Sequence, residues 1–297
     1  MSKVMTALDD ASKPEKPRLS AVALASIRLT IRLCFALSAW WILSLACGGT
    51  ASAGVCSLEV SPLTVEAQIE PGHAYTGAIE IKNTGAESQH IKAYCQDWTL
   101  KPDGLVVFVD AGKLPDSASS WLTLSPAEFD LAPGDSAQVR YTVRPPQDVI
   151  GEARTVVIFE AGAQQMTLHG APSRVVPRIG SILYVQCGST PPVQARITQF
   201  TVHPEGGLLV VENGGAAHLR FTGRLEIRRS GEIVRSSDLA GFVVLPPPFN
   251  QHHLKLPQDT FAGLQPGEYE LTAIFDCGGS SLLGARTTLS IGPAGAR

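Results

Sequence analysis

The sequence predicts an all-β protein: two immunoglobulin-like β-sandwich domains in series, behind an N-terminal signal or anchor segment. Three observations predict this. Beyond the leader, short segments alternate apolar and polar residues between clusters of Gly, Pro, Asn and Asp, with no long helical period. The pattern yields about seven segments in each half, as a sandwich requires. Removing the first 53 residues leaves 244, too many for one small core and comfortable for two domains.

The leader comes first in the chain. Arg28 and Arg32 precede an apolar run over residues 33–46, which is followed by Gly48-Gly49-Thr50 and Ala51-Ser52-Ala53. A basic flank, a short apolar core and a small-x-small site describe a secretory signal peptide cleaved after Ala53. The run is shorter than the roughly 20 residues that span a bilayer. Two alternatives stand beside export: lipidation at Cys47, after Leu43-Ser44-Leu45-Ala46, and an uncleaved anchor over residues 33–55.

In the first half, strands are expected at 58–69, 76–82, 90–100, 105–109, 137–143, 154–160 and 174–186. Residues 76–82 read TGAIEIK, polar and apolar by turns, and end at the turn Asn83-Thr84-Gly85. In the second half they are expected at 193–202, 207–212, 221–228, 232–236, 253–256, 269–276 and 285–291. Each half carries a Leu-x-Pro-Gly turn, at Leu131-Ala132-Pro133-Gly134 and Leu264-Gln265-Pro266-Gly267, where Gly supplies a positive φ. The domains are therefore 54–187 and 188–297, joined through Gly188-Ser189-Thr190-Pro191-Pro192.

Four cysteines follow the leader: Cys56, Cys95, Cys187 and Cys277. An even number in an exported chain is read first as disulfides. Placing Cys187 at the start of the second domain and Cys277 at the end of its sixth strand brings the two to one end. Cys56 and Cys95 share an end of the first, so the expected pairs are Cys56–Cys95 and Cys187–Cys277.

The whole chain has 24 basic and 27 acidic residues; without the leader it keeps 18 and 24. Such a mildly acidic chain, lacking a basic run, argues against nucleic acid as a partner. No Gly-x-Ser-x-Gly, His-Glu-x-x-His, Walker loop or dinucleotide fingerprint occurs, so no enzyme activity, cofactor or small-molecule substrate is expected. The His252-His253 pair alternates across a strand and makes a poor chelate, so no metal is expected there. Asp97 and Asp276 are expected to cap loops, and the apolar residues 242–245 to pack at the domain junction or form a contact surface.

The ordered series Val60-Ser61-Pro62, Gly72, Ile79-Glu80-Ile81-Lys82-Asn83, Trp121, Ser125-Pro126, Phe129-Asp130-Leu131-Ala132-Pro133-Gly134, Val139-Arg140 and Pro145-Pro146 resembles the N-terminal domain of PapD-like periplasmic chaperones of pilus and fimbrial assembly. The second half, with Phe275-Asp276-Cys277-Gly278-Gly279, is more loosely similar to the second domain of that family's relatives. The resemblance implies a protein that binds an unfinished pilin-like subunit by lending it the last strand of the first domain. It also implies two basic residues in the cleft between domains that hold the subunit's C-terminal carboxylate. The first strand here has no Arg or Lys at that place; Arg178 is the match on the last strand, and Pro172 and Pro177 remove donors near it.

The sequence therefore reads as an exported chaperone-like protein of the periplasm that binds and stabilises a pilin-like subunit or other envelope protein by strand pairing. The alternative is a structural or adhesive immunoglobulin-like module of the cell envelope. The expected partner-binding residues are Arg178, Ile179, Ile182, Leu183 and Tyr184 on the last strand of the first domain, with Ile179 and Leu183 on one face and Ile182 and Tyr184 on the other.

Overall fold

The computed structural model describes residues 58–168 and 170–293; the leader, its cleavage or lipidation, and Cys56 lie outside the described residues. The described residues belong to one compact unit, Ala53–Arg297. No described helix is long and apolar enough to cross a membrane.

The first sandwich contains β1 (Leu58–Ser61), β2 (Thr64–Ile69), β3 (Tyr75–Asn83), β4 (Gln89–Leu100), β5 (Val106–Val109), β6 (Leu122–Ser125), β7 (Glu128–Leu131), β8 (Ser136–Val143), β9 (Gly151–Ala161), β10 (Gln164–Leu168), β11 (Ala171–Val175) and β12 (Arg178–Cys187). One sheet has the order β1-β3-β8-β6. The facing sheet has the order β2-β12-β9-β4-β5, with β7 also on β4, and β10-β11 is a separate hairpin. The second sandwich contains β13 (Ala195–His203), β14 (Gly206–Asn213), β15 (Leu219–Arg229), β16 (Glu232–Val244), β17 (Gln251–Leu256), β18 (Gly267–Asp276) and β19 (Leu283–Ile291). Its sheets are β13-β14-β17 and β16-β15-β18-β19.

Alternation builds the cores. In β3, Ile79 and Ile81 are fully buried while Glu80 and Lys82 between them are exposed. They meet Val139 of β8 and Leu183 and Val185 of β12 in the first core. Leu209, Leu225, Leu271 and Phe275 do the same in the second. The first Leu-x-Pro-Gly segment closes a turn, with Asp135 N–H on the Ala132 carbonyl at 3.1 Å and Gly134 at φ +80°, whereas the second is only a bend at Pro266 and Gly267, at φ +148°, opens β18.

One device is repeated in the two halves. Asn83 ends β3 fully buried; its Nδ2 donates to the Glu87 and Leu131 carbonyls and its Oδ1 accepts from Gly85 N–H. Asn213 ends β14 fully buried; its Nδ2 donates to the Ala217 and Val244 carbonyls and its Oδ1 accepts from Gly215 N–H. Each amide replaces strand bonds where the chain leaves the sheet, so no donor is stranded.

Several expectations need correction. The segment 58–69 is two strands, because the chain changes sheets at Pro62: β1 pairs with β3, and β2 pairs with β12. The segment 174–186 is likewise two, broken at Val176-Pro177 into β11 and β12. The hairpin strand β10 and the short strands β6 and β7 were not expected from the pattern. β16 runs well beyond residue 236, past a register shift between Leu239 and Phe242 that takes Phe242 and Val243 into the strand.

The cysteines differ as well. Cys187 and Cys277 are buried free thiols, and Cys95 is also free. Cys187 is the last residue of β12 and packs in the first core, whereas Cys277 follows β18 and packs in the second. Cys187 closes the first sandwich rather than opening the second, so the two side chains belong to different cores. Burial raises the thiol of Cys95 to about 11, and burial also raises those of Cys187 and Cys277.

Candidate functional site

Strand β12 carries every expected contact residue, and its two ends differ. Along its whole length it pairs antiparallel with β9, from Arg178↔Glu160 to Cys187↔Gly151. On its other side β2 runs parallel to it, but only from Ile182 onward. The β12 strand is therefore not an edge throughout: 182–187 are bonded on both sides, Ser181 is buried with its Oγ donating to the Pro62 carbonyl at 2.7 Å, and 178–180 are paired on one side. Ile182 N–H donates to the Leu63 carbonyl at 2.9 Å. Backbone groups alternate sides along a strand, so Arg178 and Gly180 aim theirs at the uncovered side.

Side chains divide as the alternation predicts. Ile179 and Leu183 face the first core, with Leu183 fully buried. Ile182 and Tyr184 face outward but not into solvent. They join Trp98, Val156 and Ile158 in a patch covered by Leu245, Val243 and Phe249 of the second sandwich. Of the apolar residues 242–245, Val243 and Leu245 pack at the junction, whereas Phe242 and Val244 pack in the second core. Of the five expected contact residues, Leu183 and Tyr184 are closed to an outside partner, and Arg178 is the most exposed.

Arg178 stands in a row of charges across three strands, with Glu160 on β9 between it and Lys92 on β4. Its Nε donates to Glu160 Oε2 at 2.7 Å, and Tyr94 Oη donates to the same oxygen at 2.9 Å. The Tyr94 hydrogen bond and the guanidinium hold Glu160 below the usual carboxylate range against its partial burial. Six residues separate Arg178 from Tyr184, about 20 Å of strand at ~3.3 Å per residue. Ile182, the nearest member of the junction patch on the same strand, is four residues from Arg178, about 13 Å, so Arg178 lies beyond the end of that patch on β12.

The cleft itself is built from other residues. His218 Nδ1 lies 2.6 Å from Glu152 Oε2, and the His218 N–H donates to Glu152 Oε1. Arg220 Nε donates to Glu66 Oε1 at 2.8 Å, and the His218 ring stacks on Tyr184 with centroids 3.6 Å apart. Burial would raise the Glu66 carboxyl, but the Arg220 hydrogen bond and charge, with His218, outweigh it and hold it low. These groups line a cavity of about 410 Å³. The basic group in the cleft is thus Arg220 of the second sandwich, already joined to Glu66. His218 and Arg220 lie in the second half, where strand reading alone gave no reason to single them out.

On the far side of Tyr184 a groove of about 450 Å³ is lined by Trp98, Leu100, Val106, Ile182 and Phe242. Behind it, Arg154 is buried in an ion pair with Asp116, its guanidinium 5.7 Å from the Trp98 ring centroid. His252 stacks on Phe242, and His253 N–H donates to the Pro102 carbonyl, which ties β17 to the β4–β5 turn.

Solved structures similar to this chain include the class 5 fimbriae chaperone CfaA, at 15% identity over 79% of this chain and 99% of that one, with a TM-score of 0.44. The Salmonella enterica SafB chaperone in complex with SafA pilin gives 17% identity, 78% and 96% coverage, and a TM-score of 0.42. The Pseudomonas aeruginosa CupB2 chaperone gives 12% identity, 78% and 100% coverage, and a TM-score of 0.40. Each of these three neighbours is a chaperone. No family model matches the chain, and no curated protein does.

Proposed function

We propose that this is an exported, non-enzymatic binding protein of the periplasm that holds a pilin-like or other envelope subunit by strand addition. In this reading residues 54–187 form the binding domain and 188–297 the supporting one. The observation that carries it is the segment 178–180 of β12, a short open edge continuous with a strand fixed on both sides from Ile182. An extended segment of a partner can satisfy its own backbone groups there. Burial of Leu183 and Tyr184 confines the contact to Arg178, Ile179, Gly180 and the β10-β11 hairpin beside them.

The test is Arg178→Pro. The Arg178 N–H points away from β9, so proline removes a donor from the open side and leaves the β9 ladder intact. The expected outcome is loss of co-purifying envelope subunit with an unchanged melting temperature. Arg178→Ala should weaken capture about ten- to a hundredfold, since a hydrogen bond to a charged group is worth roughly 1.5–3 kcal/mol. If both folded variants retain their partners, strand addition is wrong. The structural or adhesive reading then takes over, favoured by Arg178 being already engaged with Glu160.

A further inference from the structure

The opposite edge of the same sheet is β5, which pairs with β4 and with no other described strand. Its sequence, preceded by Leu105, is an uncharged apolar run, and its side chains are unusually open: Leu105 is 55%, Val106 41% and Phe108 54% exposed. A free, apolar, uncharged edge is a template for another strand unless it is covered. Lys101 N–H donates to the Leu105 carbonyl, so Leu105, Val107 and Val109 direct their backbone groups at β4. Val106 and Phe108 direct theirs outward.

We propose that β5 pairs with β5 of a second copy of this chain, antiparallel and centred on Val107, so that one sheet runs through a two-fold dimer. The strand is complementary to itself in that register. Val106 lies opposite the partner's Phe108 and Phe108 opposite the partner's Val106, and each pair exchanges two hydrogen bonds through the outward groups. Centring on Val106 or on Phe108 keeps only one such pair within the strands. The strand itself carries no charge, so the Val107 register sets no like charges against one another within it. Val106 also lines the apolar groove beside Trp98 and Leu100. The partner's Phe108 lands at the mouth of that groove and covers apolar surface that is otherwise open.

A two-fold pairing is isologous and closes at two chains. It uses the edge opposite β2 and β12 and is separate from subunit capture. The test combines sedimentation of the exported protein with two cysteine variants. At the centre, Val107 meets itself as a non-hydrogen-bonded pair with Cα atoms about 4.5 Å apart, within disulfide range. Val107→Cys should therefore oxidise to a covalent dimer, while Val109→Cys, facing Leu105, should not. The unaltered protein should sediment at twice the single-chain mass, and Phe108→Lys should halve it without lowering the melting temperature or subunit capture. A single-chain mass at every loading concentration, a dimer unaffected by Phe108→Lys, or equal cross-linking of the two cysteine variants would each overturn the proposal.

Discussion

Asp97 shows how one carboxylate organises a loop. It is almost fully buried, and it accepts from Ser117 Oγ and Ser119 Oγ at 2.6 Å each and from the Lys113 and Leu114 N–H groups. Burial would raise its pKa, but the two hydroxyls and the loop N–H groups outweigh that and place it below the usual carboxylate range. A depressed carboxyl stabilises the fold above its unfolded pKa of about 3.9, and this contribution is lost as pH falls through the lower folded value. Asp97→Asn, which presents an amide to four donors, should cost about 1–3 kcal/mol near pH 7. Urea unfolding should show the difference from the unaltered protein shrinking as pH falls below the unfolded value of about 3.9. At this scale the sequence was partly readable. Asp97 was recognisable as a loop cap, and Asn83-Thr84-Gly85 as a turn. The matching role of Asn213 was not, because its partners, the Ala217 and Val244 carbonyls, are set by how β14 and β16 end.

Strands with one wet face were legible from alternation, as β3 shows with its buried Ile79 and Ile81. Strand breaks were less so. Pro62 and Pro177 mark the points where one apparent strand becomes two, and the sequence contained both, but proline alone does not say whether the chain resumes in the same sheet. The four-residue strands β6 and β7 are too short for a period to register. Ile182 was placed on the correct face of β12, yet its neighbour could not be foreseen, since Leu245 and Phe249 arrive from more than 60 residues away. That contact makes a distinct expectation for Ile182→Asp. A charge set against the apolar patch should lower the melting temperature and speed hydrogen exchange through residues 243–249. Exchange in β3 and β8, on the other side of the first core, should change little; uniform acceleration would mean that Ile182 serves the core instead.

At the scale of the molecule, two cores meet through an apolar patch with a polar rim. The rim joins Glu66 and Glu152 of the first sandwich to Arg220 and His218 of the second. Glu152 has a side chain only 4% exposed, so His218→Ala leaves a buried carboxylate without its ring partner and removes the stack on Tyr184. The expected outcome is a loss of about 1–3 kcal/mol, with a broadened distribution of distances in small-angle scattering as the sandwiches move more freely. An unchanged scattering profile would show that the apolar patch alone fixes them. None of this rim was legible beforehand, because its members come from three separate segments, β2, β9 and the start of β15, that meet only when both halves have folded.

Strand β12 also has a mechanical meaning. Its N-terminal residues are open on one side while its C-terminal half is clasped between an antiparallel and a parallel neighbour. A pull on Arg178 along the strand axis acts in shear, so the ladder bonds to β9 and β2 share the load and must yield together. A sideways pull at the same point peels the strand from β9 one bond at a time until it reaches Ile182, where β2 begins to share the strain. The direction of loading, more than its size, therefore sets how firmly this end of the molecule holds.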